Sequence, residues 1–171
     1  MASPTVTVAG VAATLVLLAC SAFFSSSETA MFSLPKAWVD EQATTGDDRA
    51  RVLKELHDDP HRLLVTLLVG NNVVNVMISS IVTVLVAGYL SAGPTVVVTT
   101  AVTSVLVLIF GEIVPKAFGL GNAEEWSLTV ASPIRLVERT LSPLVTLFDG
   151  VTRRMSALVS VDRGIEKPYT D

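Results

Sequence analysis

From Leu63 to Gly111 the chain runs for 49 residues without a Lys, Arg, Asp, Glu or His. A helix that spans a bilayer needs about 20 predominantly apolar residues, so this run has room for two. The turn signal Ser91-Ala92-Gly93-Pro94 divides it. The expected spans are residues 63–90 and 95–115, joined by a tight hairpin. Asn71, Asn72 and Asn75 lie in the first of them, and Glu112 closes the second. Polar and ionisable groups at membrane depth are costly and usually face a bundle interior, a water-filled cavity or an ion path. The run therefore points to an integral membrane module that handles ions.

The distribution of charge sets the topology. All 12 Lys and Arg fall in two blocks, five between Lys36 and Arg62 and seven between Lys116 and Lys167. Loops near span ends carry such residues on the cytoplasmic side, so both blocks are expected inside, with the N-terminus and the hairpin outside. That arrangement needs an odd number of crossings, and three suffice. The first is the uncharged stretch from Val6 to Phe24, continuing to about Met31. A signal peptide would need a positive n-region, and no Lys or Arg precedes this stretch. Leu17-Leu18-Ala19-Cys20 does resemble a lipoprotein cleavage box, but Cys20 reads as a small packing residue. Only 16% of the 171 residues are charged, against about 25% in a typical soluble domain. The net charge of −4 offers no basic field for nucleic acid, and one cysteine excludes an internal disulfide.

The expected fold is an all-α integral membrane domain over residues 1–160. Its three transmembrane helices cover about 6–31, 63–90 and 95–115. Cytoplasmic juxtamembrane amphipathic helices, over about 36–58 and 124–160, form a belt. Pro35 ends the first span; Lys36 to Gln42 and Asp48 to Leu56 read as two short helices around Thr44-Thr45-Gly46. His57 and His61 are four apart, but Asp58-Asp59-Pro60 breaks the helix between them, which argues against a metal site. Asp59 as N-cap and Pro60 at the first helical position start the second span instead. Beyond Ala123, Val130, Ile134, Val137, Leu141, Leu144, Phe148, Val151, Met155 and Leu158 repeat with 4–3 spacing. Ser132-Pro133 and Ser142-Pro143 are expected to start new helices there. Residues 161–171 read as a polar linker.

Oxygen donors gather in the spans. Ser21, Ser25 and Glu28 share one face of the first helix, with Ser26 and Ser27 between them. Asn71, Asn75 and Ser79 form an i, i+4, i+8 stripe with Asn72 beside it. For any single serine or asparagine, packing or interhelical hydrogen bonding is an adequate explanation, worth about 0.6 kcal/mol on average in membranes. Three asparagines within five residues are hard to justify by so small a gain. In the third span Pro115 cannot donate to the Gly111 carbonyl four residues back, which leaves that oxygen free beside Glu112. Lys116 stands four residues after Glu112, in the favourable order for an ion pair. Candidate cation ligands are thus Ser25, Asn75, the Gly111 carbonyl and Glu112, with Ser21, Ser27, Glu28, Asn71 and Asn72 behind them. Pro115 and Lys116 are assigned to gating and ion pairing. No His or Cys accompanies them, apart from Cys20, so zinc and copper are not expected. A sparse oxygen set with one or two carboxylates suits Mg²⁺, which keeps some of its waters. No nucleophile–base pair or phosphate loop is found, so an enzyme is not expected.

Three motifs then carry a resemblance: Ser25-Ser26-Ser27-Glu28-Thr29-Ala30; Asp59-Pro60 followed by Leu67-Leu68-Val69-Gly70-Asn71-Asn72-Val73-Val74-Asn75; and Gly111-Glu112-Ile113-Val114-Pro115-Lys116. Over roughly residues 5–155, by their order and spacing, the chain resembles the transmembrane domain of the cyclin M/CorB–CorC family of magnesium transporters. The resemblance implies a homodimer in the plasma (inner) membrane, a Mg²⁺ site facing the cytosol, and magnesium efflux, with Na⁺ as a candidate exchange ion. Family members continue into a cytoplasmic CBS-pair module that binds Mg²⁺–ATP. The 171 residues hold no such module and read as an excised membrane domain, with the CBS pair expected as a partner in the full-length chain, so nucleotide binding is not expected of this fragment. The rival reading is a non-transporting anchor or sensor that dimerises a cytoplasmic partner, with Asn71, Asn75 and Glu112 paired across helices and no cation between them.

Overall fold

The computed structural model describes residues 3–144, 146, 147 and 150, and among these all regular structure is helical. Among the described residues three helical runs are long and apolar enough to cross a membrane: Pro4–Ser33, Pro60–Ala87 and Ala92–Gly121. The domain is an all-α membrane bundle with short helices gathered at one end.

Each span begins with a readable device. Helix α1, Pro4–Ser33, follows Ser3, whose hydroxyl accepts the Val6 N–H. Pro4 at the first helical position loses no hydrogen bond, because that N–H has no intrahelical acceptor. Helices α2, Lys36–Ala43, and α3, Asp48–His57, are short; Asp47 caps α3 by accepting the Arg49 N–H at 2.8 Å. Helix α4, Pro60–Ala87, repeats the serine–proline logic with Asp59, which accepts the Arg62 N–H at 3.1 Å.

The hairpin turn falls three residues earlier than the Ser91–Pro94 signal suggests. Leu90 donates its N–H to Val86 and so closes α4, Ser91 is the N-cap of α5, and α5 runs from Ala92 to Leu106. Pro94 therefore sits inside the first turn of a helix, where its missing N–H leaves no acceptor unpaired. The third span then widens into a π-helical segment, Val107–Ile113, before continuing as α6, Val114–Gly121.

Helix α7, Ala123–Thr140, runs straight through Pro133, so the expected break at Ser132-Pro133 does not occur. Burial overrides it: Val130, Ala131 and Ile134 are all inaccessible, so tertiary packing holds the helix on both sides of the proline. The break at the second proline is real. Leu141 leaves the helix, and the chain is helical again from 142. The remaining positions of the 4–3 repeat from Phe148 onward, the end of the second belt segment and the linker 161–171 lie outside the described residues.

One apolar core joins the belt to the spans. Met31, Leu53, Leu56, Leu63, Leu67, Ile78, Val130 and Ile134 pack together from α1, α3, α4 and α7. Ion pairs reinforce it. The carboxylate of Glu138, only 6% exposed, takes Arg62 of α4 and Arg135 of its own helix, and Arg135 reaches Glu55 of α3 at 3.1 Å. A carboxylate this deeply buried is tolerated because both oxygens are paired. Between α2 and α3, Lys54 bonds Asp40 at 2.7 Å and Asp58 at 3.1 Å. Its hydrogen bond holds Asp40 below the ordinary carboxylate range, and the same bonds raise Lys54 above the ordinary lysine value.

Candidate metal centre

The second half of α1 presents four serines inward. Ser21, Ser25, Ser26 and Ser27 are all buried. Hydroxyls on a helix usually return to a backbone carbonyl one turn back, and two of these do so: Ser26 and Ser27 both donate to the Phe23 carbonyl, at 3.1 and 2.6 Å. Ser27 is thereby committed to its own helix. Ser21 and Ser25 are not. The Ser25 hydroxyl is buried without a hydrogen-bond partner, a state that costs about 1–3 kcal/mol unless a ligand relieves it.

Ser21 reaches across to α4, at 3.1 Å from Asn71 Oδ1 and 2.8 Å from Asn75 Oδ1. Its one proton can serve one acceptor at a time. Three oxygens from two helices thus converge around a single hydrogen, a concentration of lone pairs suited to a cation. The third span closes in from the other side. Gly111 is buried, and a Cβ there would lie 2.7 Å from Ser21 Oγ. Only glycine lets the backbone approach so closely. Beside it, Glu112 lines a cavity of about 320 Å³ with Asn75, Thr103, Ser104, Val107 and Leu108. Among the described residues Glu112 has no ion pair.

The geometry of the third span bears on two further expectations. The last π-type bond runs from the Val114 N–H to the Ile109 carbonyl. Pro115 stands just past that bond, at the second position of α6, so it can donate neither to Phe110 in the i→i+5 register nor to Gly111 in the α register. Gly111 enters the site through its contact with Ser21. The Glu112–Lys116 pair, by contrast, does not form. Lys116 lies 3.3 Å from Glu28 of α1, because the change of register between positions 112 and 116 takes them off a common face. Glu28 is therefore occupied by a cation of the protein's own. Asn72 is exposed and donates to the Leu68 carbonyl of its own helix at 2.9 Å, apart from the cluster.

Sequence reading passed over Thr103, Ser104 and Thr99. Thr103 and Ser104 line the cavity with Asn75 and Glu112. The signal was present, since Thr95, Thr99 and Thr103 repeat at i, i+4, i+8 like the asparagine stripe.

Helices α6 and α7 brace the serine turn. At Gly119 a Cβ would stand 2.3 Å from the Ser26 carbonyl oxygen, so α6 lies directly on the α1 backbone. Trp126 of α7 donates its indole N–H to Ser26 Oγ at 3.1 Å and meets Phe118 edge-on. Ser25, the hydroxyl without a partner, is thus flanked by a residue held from two further helices.

The fold and these side chains define a three-span helical membrane domain in which oxygens of the first two spans meet beside a cavity lined by Asn75 and Glu112. Residues 12–171 match the model of the cyclin M transmembrane N-terminal domain, and the chain belongs to that family. It is 30% identical over 146 residues to the UPF0053 inner membrane protein YfjD of Escherichia coli (strain K12), covering 85% of this chain and 34% of that protein. A UPF0053 protein of Haemophilus influenzae is 30% identical over 154 residues, 90% of this chain and 36% of that protein. A chloroplastic DUF21 domain-containing protein of Arabidopsis thaliana is 30% identical over 155 residues, 90% of this chain and 23% of that protein. The chain spans about a third of the length of the bacterial relatives.

Proposed function

We propose that this domain transports Mg²⁺ past the oxygens of Ser21, Ser25, Asn75, Gly111 and Glu112. One observation carries the reading: Ser21 of the first span meets Asn75 of the second, Asn75 shares a cavity with Glu112 of the third, and the buried Ser25 hydroxyl has no partner among the described residues. Neutral oxygens with a single carboxylate suit a cation that retains part of its water shell. The amide and hydroxyl oxygens replace some waters, and Glu112 supplies the charge. Family membership favours Mg²⁺ as the cargo, efflux as the direction, Na⁺ as an exchange ion, and a homodimer as the working unit. The orientation follows the positive charge. Lys36, Arg49, Arg51, Lys54, Arg62, Lys116, Arg135 and Arg139 all belong to the belt end, and none lies near the start of α1 or the hairpin. The belt is then cytoplasmic, in the plasma (inner) membrane, with the N-terminus outside.

The test is calorimetry of Mg²⁺ on the purified protein, with flux in proteoliposomes. Glu112→Ala and Asn75→Ala are expected to weaken binding by roughly 100-fold and 10-fold and to stop or slow flux while the fold persists. Undiminished flux in Glu112→Ala would remove the transport reading.

A second reading has its own observation. Ser21 already bonds Asn71 and Asn75 across helices, which is the pairing an anchor or sensor without cargo would show. Glu112, outside that pairing, separates the two: a pure anchor gives its carboxylate no task, and Mg²⁺ binding would be unaffected by its loss.

A further inference from the structure

We propose that Thr99 and Thr103 of α5, with Ser104 beside them, form a second, outward subsite through which the partly hydrated divalent cation leaves Asn75 and Glu112. This rests on the transport reading above and adds to it the leg toward the hairpin. Buried threonines elsewhere in the spans give their hydroxyl to the carbonyl four residues back. Thr14 donates to Gly10, Thr66 to Arg62 and Thr95 to Ser91. Thr99 and Thr103 do not; their Oγ1 atoms are buried with no hydrogen-bond partner, and Thr99 is only 5% exposed. Buried polar atoms are seldom left so, and each one calls for a ligand or another physical reason.

Their placement supplies the reason. Thr103 lines the cavity that also holds Asn75 and Glu112. It lies nine residues before Glu112, about 13 Å toward the hairpin at the α-helical rise. Thr99 is one turn further on the same face. Continued the other way, that face reaches Val107 and then Gly111, which packs on Ser21. The hydroxyls therefore extend the oxygen cluster along one side of the third span. They carry no charge, and this suits a passage: conduction needs sites that bind well enough to admit an ion and weakly enough to release it. Carboxylate capture at Glu112 followed by neutral hydroxyls fits that sequence of affinities.

The experiment pairs Mg²⁺ calorimetry with Mg²⁺ flux in proteoliposomes for Thr99→Val/Thr103→Val, which removes both hydroxyls and keeps the branched shape. Mg²⁺ affinity is expected to stay within about twofold of wild type while flux falls about tenfold or more. Thr99→Ser/Thr103→Ser, which restores the hydroxyls, is expected to recover the flux. Unchanged flux in the valine variant overturns the subsite and leaves the Asn75–Glu112 site standing. Loss of Mg²⁺ binding in step with flux also overturns it, because the hydroxyls would then belong to the primary site. No Mg²⁺ binding by the wild-type protein would overturn the transport reading, and the subsite with it.

Discussion

The third span is one continuous helical run in two environments. Its later part, α6, sets one face hard against α1, where Pro115 and Gly119 are buried, and Phe118 packs on Trp126, while Val114 and Leu120 stay exposed. Its earlier part, α5, packs mainly on α4 and turns Val96, Val97 and Val105 outward, at 66%, 69% and 55% exposure. In water that apolar surface would need cover, but lipid tails are as apolar as leucine and exact no such demand. Close packing is therefore concentrated where backbones must be aligned, beside Ser21 and Ser25. The π-helical segment, Val107–Ile113, joins the two halves and carries Glu112. Single wide turns of this kind recur at functional sites, and here the carboxylate stands at the change from fixed to lightly packed helix.

The comparison breaks most readily at Gly119. An alanine in an ordinary helix is more favourable than glycine, by about 0.5–1 kcal/mol. At position 119 the added Cβ would meet the Ser26 backbone oxygen at 2.3 Å, which cannot swing aside as a side chain can. Gly119→Ala is therefore expected to destabilise by about 1–3 kcal/mol, read as a lower melting temperature in detergent. Val97→Ala in α5 should change it by less than about 0.5 kcal/mol. Equal losses at the two positions would mean that the halves do not differ.

A smaller effect is expected at Trp126. Trp126→Phe keeps the ring against Phe118 but removes the bond to Ser26, leaving that hydroxyl with its own bond to Phe23. The expected cost is about 0.5–1.5 kcal/mol. If α7 also positions Ser25 for a cation, Mg²⁺ affinity should fall by roughly two- to fivefold. A stability loss with unaltered affinity would confine Trp126 to packing.

Much of this was legible because its causes are local. Uncharged runs mark spans, and Asp59-Pro60 marks a helix start whatever surrounds it. Asn71, Asn75 and Glu112 stand out because polarity inside an apolar run is visible in one dimension. What escaped depends on neighbours. Pro133 signals a break locally, but burial of Val130 and Ile134 holds α7 together across it. Nothing in Val107–Ile113 announces an i→i+5 ladder, and nothing in one dimension shows that Lys116 turns to Glu28 of another helix. Thr99 and Thr103 look ordinary in sequence because most membrane hydroxyls bond their own backbone; only the structure shows that these two do not.

The smallest expected effect lies at the belt, where α3 docks beneath the end of α1. His57 closes α3, its Nε2 is buried without a partner, and Met31 near the end of α1 is inaccessible. Burial pushes the imidazole below its ordinary 6.5, while bonding to the Met31 backbone and the charges of Asp58 and Asp40 pull it back only in part. The folded protein thus favours the neutral ring. A depressed folded-state value contributes stability that is present above pH 6.5 and is lost as pH falls below it through the folded value. The neighbouring Lys54–Asp40 pair does not titrate in that window, since Asp40 is held below the ordinary carboxylate range and Lys54 above the ordinary lysine value. Hydrogen-exchange protection of α3 should therefore weaken between about pH 7 and pH 5, with α5 unaffected. His57→Gln should flatten that slope. A slope that survives in His57→Gln would place the acid sensitivity elsewhere in the belt and leave the α1–α3 contact independent of this ring.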